Sequence, residues 1–287
     1  MKNLSLFKKT FNILSLFLLV FSIGLVITEY LTYTNFVINY FNFDYVDMFV
    51  ISTLINMTNL VINFRFVVKH HKKIILFTPF YLTAGLLMIF MRKHQFFIYM
   101  EAEDSVIETI QVVFLVINTV ISGLLANRFL KQKKKVLAIV FMIISFGFFV
   151  ISAEEISWGQ RIFNFQTPAE YAAINNQNEL TLHNYEHVYG YVYKAYMLIG
   201  LFGASLWTIK KFLSKIAPKS FKELFLLAIP DWQYFFFFFT VFLYNLEVKI
   251  LHPIPGDSLW EEPTELLLFL GLAIFLLELL KRKKNEK

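Results

Sequence analysis

Apolar stretches about as long as a membrane is thick recur along this chain, each closed off by charge, and no other feature restricts the fold so tightly. A hydrocarbon core of about 30 Å takes about 20 residues of helix. Eight stretches reach that length, at roughly 11–28, 48–68, 74–91, 106–126, 136–158, 189–209, 232–251 and 264–280. The second is the weakest, since it holds Asn56, Asn59, Asn63 and Arg65, and seven spans are the alternative. The first follows Lys2, Lys8 and Lys9 as a signal peptide would, but no small-residue cleavage pattern precedes Glu29 and Tyr30, so it reads as a retained anchor. A spanning helix satisfies its own backbone. The expected fold class is all-α: a polytopic integral membrane helical bundle of about eight transmembrane helices, forming one transmembrane domain over residues 1–287.

Orientation follows from the basic residues, because loops that stay in the cytoplasm keep the Lys and Arg excess. Clusters stand at every second boundary: Lys2 to Lys9, Lys69 to Lys73, Arg128 to Lys135, Lys210 to Lys222, and Lys281 to Lys287. Both termini are therefore expected in the cytoplasm. Only Arg92, Lys93, Arg161, Lys194 and Lys249 fall toward the other face. Trp207 and Trp232 sit at expected inner ends, and Trp158 and Trp260 at outer ones, as an interfacial aromatic belt requires. Phe221 to Ile229, stopped by Pro230, reads as an amphipathic segment on the inner interface.

The net charge of +6 is no basic stripe of the kind a nucleic-acid binder carries. It is the remainder of two opposed layers. Acids contribute little to orientation, yet only Glu223, Asp231, Glu278 and Glu286 lie on the inner side, and the others point outward. With Cys 0, thiolate chemistry and disulfides are excluded. Any catalysis rests on carboxylates, His, Tyr, Ser or Lys. The run from Phe235 to Phe239 receives no functional reading.

The outward acids fall in patterns. Glu101, Asp104, Glu108 and Gln111 share one stripe of a helix entering the membrane. Glu108 and Glu154 come out at the same depth, near the edge of the hydrocarbon, where a carboxylate is costly unless it faces the bundle interior. Glu247 and Glu265 lie deeper. His183 and His187 are spaced i, i+4, so their imidazoles can converge on one ion. With Asp104 or Glu155 as third ligand they outline a divalent-metal site, of zinc or calcium class. The bland alternative is a pair of interfacial histidines bonded to headgroups.

In Glu154-Glu155-Ile156-Ser157-Trp158-Gly159-Gln160-Arg161, two acids, an indole, an amide and a guanidinium crowd a helix exit. Glu108, Glu154 and Glu155 are the candidate acid–base groups, with Glu155 favoured as the inward one of the adjacent pair. Trp158, Gln160, Arg161, Asn184 and His252 are candidate substrate contacts. An interfacial cap would account for Trp158 and Arg161 but not for adjacent acids. Thr167-Pro168-Ala169-Glu170 matches a capping box and predicts a short surface helix ending near Asn175 and Asn176, within an outer loop at about 160–188. His252 stands in the stiff turn Leu251 to Asp257.

The string from Glu154 to Phe163, followed by Thr167-Pro168, Asn176-x-Asn178-Glu179 and His183-Asn184, resembles a pattern that recurs in polytopic bacterial membrane proteins. That resemblance covers about 110 residues from Glu101 to His187 and implies a bacterial inner-membrane location, but it brings no activity with it. The adjacent glutamates, later arginine and histidines are also distantly similar to the CAAX-protease-like membrane peptidases, although Arg161 follows Glu155 by six positions instead of four. The His-x-x-x-His pair beside an acidic helix entry is similar in type to alkaline-ceramidase-like hydrolases, although the order differs.

Three functions compete on these residues. The first is a membrane-embedded hydrolase or transferase acting on a lipid or lipid-linked substrate at the outer leaflet, possible with or without metal. The second is a non-catalytic scaffold whose acidic face docks a partner. The third is an ion-coupled transporter, motivated by Glu247, Glu265, Lys249 and Asn118 within spans. Membrane lipids are the expected partners in each.

Overall fold

The structure is a computed structural model, and it describes residues 71–92, 94–101, 106–163, 165–172, 180–182, 185–251 and 260–282 together with positions 17, 20, 21 and 24. Those residues form helices and turns, with no strand among them. The expected spans at 11–28 and 48–68 lie outside the described residues, apart from helical positions 17, 20, 21 and 24. Contacts divide the chain into two compact units, Met1–Ile98 and Tyr99–Lys287.

In the first unit, α1 (His71–Arg92) covers the expected stretch 74–91 and tolerates Pro79 in its interior. Thr78 Oγ1 donates to the Ile74 carbonyl at 2.8 Å, one residue ahead of that proline. α1 is followed by α2 (His94–Glu101).

The second unit contains α3 (Val106–Lys131), α4 (Lys135–Glu155), α5 (Gln160–Phe163), α6 (Ala169–Ala172), α7 (Glu186–Ile216), α8 (Lys219–Ala228), α9 (Phe235–Leu246) and α10 (Glu261–Arg282). Among the described residues, five helical segments are long and apolar enough to cross a membrane: Val106–Lys131, Lys135–Glu155, Gly190–Ile216, Trp232–Leu251 and Glu261–Arg282. The fourth of these ends in a π-helical stretch, Glu247–Leu251. Each segment coincides with a stretch read from the sequence. These helices, by length and apolarity, are compatible with an integral membrane protein, and the surface agrees. Val113, Val116, Val120 and Leu124 are exposed on α3, whereas Gln111, Asn118 and Ser122 on the same helix are fully buried. Water would reverse that distribution.

The spanning helices pack in a row, α4 on α3, α3 on α10, α10 on α9 and α9 on α7. Polar bonds set the α3–α10 register. Gln111 Nε2 donates to the Glu262 carbonyl at 2.6 Å, Asn118 Nδ2 to Phe269 at 3.0 Å and Arg128 to Leu280 at 2.7 Å. Both sets of numbers rise together, so these two helices run parallel, and the seven-residue interval is that of a left-handed packing seam. α3 and α4 form a hairpin, closed by Lys133 in the left-handed conformation (φ 61°) and laced by Ser145 Oγ donating to the Thr119 carbonyl at 2.8 Å.

The phenylalanine run has a packing role. Phe237 and Phe238, about 100° apart around α9, press into glycine notches on two different helices. A Cβ on Gly271 of α10 would lie 2.7 Å from Phe237, and one on Gly203 of α7 would lie 2.2 Å from the Phe238 ring. Both pairings are antiparallel, as Tyr234 packed edge-on against Phe275 confirms for α9 and α10. In lipid, such close approach replaces the hydrophobic drive that water supplies.

Alternating directions bring like ends together. One end collects Lys131, Lys135, Lys210, Lys215, Lys281 and Arg282; the other collects Glu108, Glu154, Glu155, Glu261, Glu262 and Glu265. At the basic end the acids are paired. Asp231 accepts from Lys210 Nζ and from Arg282, both at 2.8 Å, and Lys134 meets Glu223 of the amphipathic α8 at 2.6 Å. Burial pushes the Asp231 carboxyl up, but the two cations and their hydrogen bonds outweigh it and hold the group below the usual carboxylate range.

Candidate functional site

α4 ends in two adjacent acids, and the helix sends their side chains to different tasks. Glu154, 7% exposed, uses both oxygens within the chain. Its Oε1 accepts from the Trp158 indole at 2.5 Å, and its Oε2 accepts from the Leu182 backbone N–H at 2.6 Å. Gln160 acts beside it: Nε2 donates to Thr167 Oγ1 at 2.6 Å while Oε1 accepts from the Leu180 N–H at 2.9 Å. Together they tie the chain at Thr167 and at Leu180 and Leu182 to the end of α4.

Between these anchors the backbone turns through three successive left-handed residues, Ser157 (φ 48°), Trp158 (φ 55°) and Gly159 (φ 81°). For the two non-glycine residues that conformation costs roughly 1–2 kcal/mol each. A hydrogen bond to a charged group contributes about 1.5–3 kcal/mol, so the Glu154–Trp158 bond is of the size needed to hold the turn. The Glu-Glu-Ile-Ser-Trp-Gly-Gln string is thus a chain-reversing knot. The Thr167 hydroxyl, expected to cap the next helix, accepts from Gln160 Nε2. α6 still begins at Ala169, with the Tyr171 and Ala172 N–H groups both 3.0 Å from the Pro168 carbonyl. The expected end of that helix near residues 175–176 lies outside the described residues.

Glu155 turns the other way, toward α3, α7 and α10. Its charge acts with those of Glu108 and Glu261 on Glu262, and with those of Glu262 and Glu261 on Glu265. Side chains from four helices therefore gather in one acidic cluster of the second unit, called the recess below. Tyr196 Oη of α7 donates to Glu265 Oε2 at 3.3 Å. Lys249 Nζ bonds Glu261 Oε2 at 2.9 Å and sits 4.5 Å over the Tyr193 ring. Glu108 is 9% exposed and Gln111 is fully buried. Away from water, these charges act on one another far more strongly than they would at a surface.

From the recess, buried polar side chains continue inward along α3. Gln111, Asn118 and Ser122 are each 0% exposed. Gln111 Oε1, Asn118 Oδ1 and Ser122 Oγ have no hydrogen-bond partner.

Of the residues singled out from the sequence, Glu108 and Glu155 meet in the recess, whereas Glu154, Trp158 and Gln160 meet in the knot. Asp104, His183, Asn184 and His252 lie outside the described residues, and Arg161 and His187 are described only as helical backbone of α5 and α7. Among the described residues, no three His, Asp or Glu side chains are grouped to hold a metal ion. Glu262 and Tyr196 were not anticipated. A signal for Glu262 was present: with Glu265 it repeats the i, i+3 spacing of Glu108 and Gln111 at another helix entry. Glu247, expected deep in a span, is exposed. No family model, characterised protein or solved structure matches the chain.

Proposed function

We propose that this protein is a bacterial inner-membrane enzyme, a hydrolase or transferase that uses the acidic recess on a lipid or lipid-linked substrate at the outer leaflet. In this reading the chain crosses eight times with both termini in the cytoplasm, which turns the acidic end outward. One observation carries the proposal: carboxylates from α3, α4 and α10 stand close enough at one end of the bundle for their charges to act on one another. Carboxylates that interact so closely hold their protons differently, and such a division of protonation supplies a general acid and a general base at one pH. Glu155 and Glu265 are the proposed pair, with Tyr196 orienting Glu265. The apolar helices would hold an acyl or prenyl chain.

A metal-assisted version adds His183 and His187, with Asp104, as ligands to a divalent ion that lowers the pKa of a bound water to about 7. Metal analysis of the purified chain checks it: a stoichiometric ion lost with His187→Ala is expected, and its absence removes this version alone.

The test of the main reading is lipid profiling of cells with the gene deleted and restored. Restoration by the wild type but not by Glu265→Gln is expected. Full restoration by both Glu265→Gln and Glu155→Gln contradicts an enzymatic role for the recess. Transport is the second reading, favoured by the buried polar line Gln111–Asn118–Ser122 that leads inward from the recess. A cation or proton flux in proteoliposomes, abolished by Asn118→Leu, would favour it over catalysis.

A further inference from the structure

At the basic end, hydrogen bonds stitch several pieces of chain together. Arg128 donates to the Leu280 carbonyl at 2.7 Å, which sets the end of α3 against the end of α10. Arg282 of α10 and Lys210 of α7 both donate to Asp231, each at 2.8 Å. Lys210 Nζ also donates to the Ile229 carbonyl at 2.8 Å, where α8 closes. In the middle of α8, Glu223 takes Lys134 from the α3–α4 turn at 2.6 Å. α8 is thus a strap fastened at two points to the helix ends.

The stitching uses up the acids. Glu223, Asp231 and Glu278 are the described acids at this end, and each already meets a cation. Lys131, Lys133, Lys135, Lys211, Lys215 and Lys222 are all exposed, and none of them makes an ion pair among the described residues. Beside these lysines α8 turns an apolar face outward. Phe221, Leu224, Phe225 and Ala228 fall within about 100° of one another around the helix, on the side away from Lys222 and Glu223. Phe221 is 44% exposed, Ala228 is exposed, and Leu224 and Phe225 are half-buried. A strap that only closed the bundle would press this face onto it. A basic excess that only oriented the chain would need no apolar face tied in beside it.

We propose that α8 and the lysines around it form a binding surface for anionic phospholipid, in the leaflet that adjoins the basic end. In the eight-span reading that is the inner leaflet. The ammonium groups meet headgroup phosphates, and Phe221 and Phe225 enter the acyl boundary, as an amphipathic helix does at a membrane surface. The surface is independent of turnover at the acidic end.

The experiment uses the full chain in uncharged detergent, with its thermal unfolding midpoint followed as phosphatidylglycerol or phosphatidylcholine is added. A saturable gain with phosphatidylglycerol alone is expected, and raised salt should weaken it. Half-saturation should weaken by about tenfold or more in the triple variant Lys133→Gln, Lys135→Gln, Lys222→Gln, since each lysine near an anionic surface adds to the attraction. It should stay unchanged in Lys194→Gln, an exposed lysine at the other end. Because the chain has Cys 0, Ala228→Cys can carry a polarity-sensitive fluorophore on the apolar face. Its emission should shift to the blue in nanodiscs containing phosphatidylglycerol relative to phosphatidylcholine alone. Equal responses of the wild type to the two lipids overturn the proposal, even if a variant fails to fold. So does a gain reproduced by inorganic phosphate, which would mark a free-anion site, or a triple variant that responds as the wild type does.

Discussion

The two ends of this bundle are built from the same helices and solve opposite electrostatic problems. At the basic end, Asp231 lies between Lys210 and Arg282, Glu223 meets Lys134, and Glu278 accepts from Gln233 at 2.9 Å. Opposite charges there close the helix ends against one another. At the acidic end, the charges of Glu108, Glu155 and Glu261 act on Glu262 and those of Glu155, Glu261 and Glu262 on Glu265, while Tyr196 bonds Glu265 and Lys249 bonds Glu261. Like charges held together reduce stability, and an arrangement that costs stability points to use. The difference separates side chains that hold the fold from those that the proposed function assigns to a substrate.

That contrast can be broken in several ways. The largest effect is expected from Glu155→Gln, which should lower the rate of the lipid reaction by about 10²- to 10⁴-fold, the usual worth of a general acid or base, with the unfolding midpoint unchanged or raised. Gly203→Leu should disturb both ends at once, because it forces α7 away from Phe238; a loss of about 3 kcal/mol, read by denaturant titration in detergent, is expected. Asp231→Ala should cost about 2 kcal/mol and leave activity intact.

The same aspartate predicts a pH dependence. Its folded-state titration lies below the unfolded value of about 4, so its contribution is fully present above that value and is lost as pH falls through the lower, folded one. Midpoints measured between neutral and about pH 3 should therefore fall more steeply for the wild type than for Asp231→Asn. The smallest effect is expected from Asn118→Leu, which removes one interhelical bond worth about 0.6 kcal/mol and should leave the basic-end pairings unaffected.

Much of the fold was legible because membrane helices carry their own limits. A run of apolar residues between charges marks a span whatever it packs against, and the five long apolar segments fall where the punctuation placed them. Partner choice was less legible. Nothing local to Gln111 says that it meets Glu262, since 151 residues and several helices intervene. Glu154 and Glu155 look equivalent in sequence, and the helix alone decides that one enters the knot and the other the recess. The knot also shows that one string can serve the fold as well: its polar side chains hold a left-handed turn, which needs the same residue types that a substrate site does. The Phe run, left without a role, became intelligible only opposite Gly203 and Gly271.

The most direct measurement of the central claim neutralises one carboxylate at each end in parallel. Glu155→Gln and Asp231→Asn are expressed at matched abundance in cells lacking the gene, and the lipid profile is compared with that of the wild type. Loss of the wild-type profile with Glu155→Gln and its retention with Asp231→Asn is the predicted result. The reverse pattern, or retention by both, would contradict the assignment of function to the acidic end.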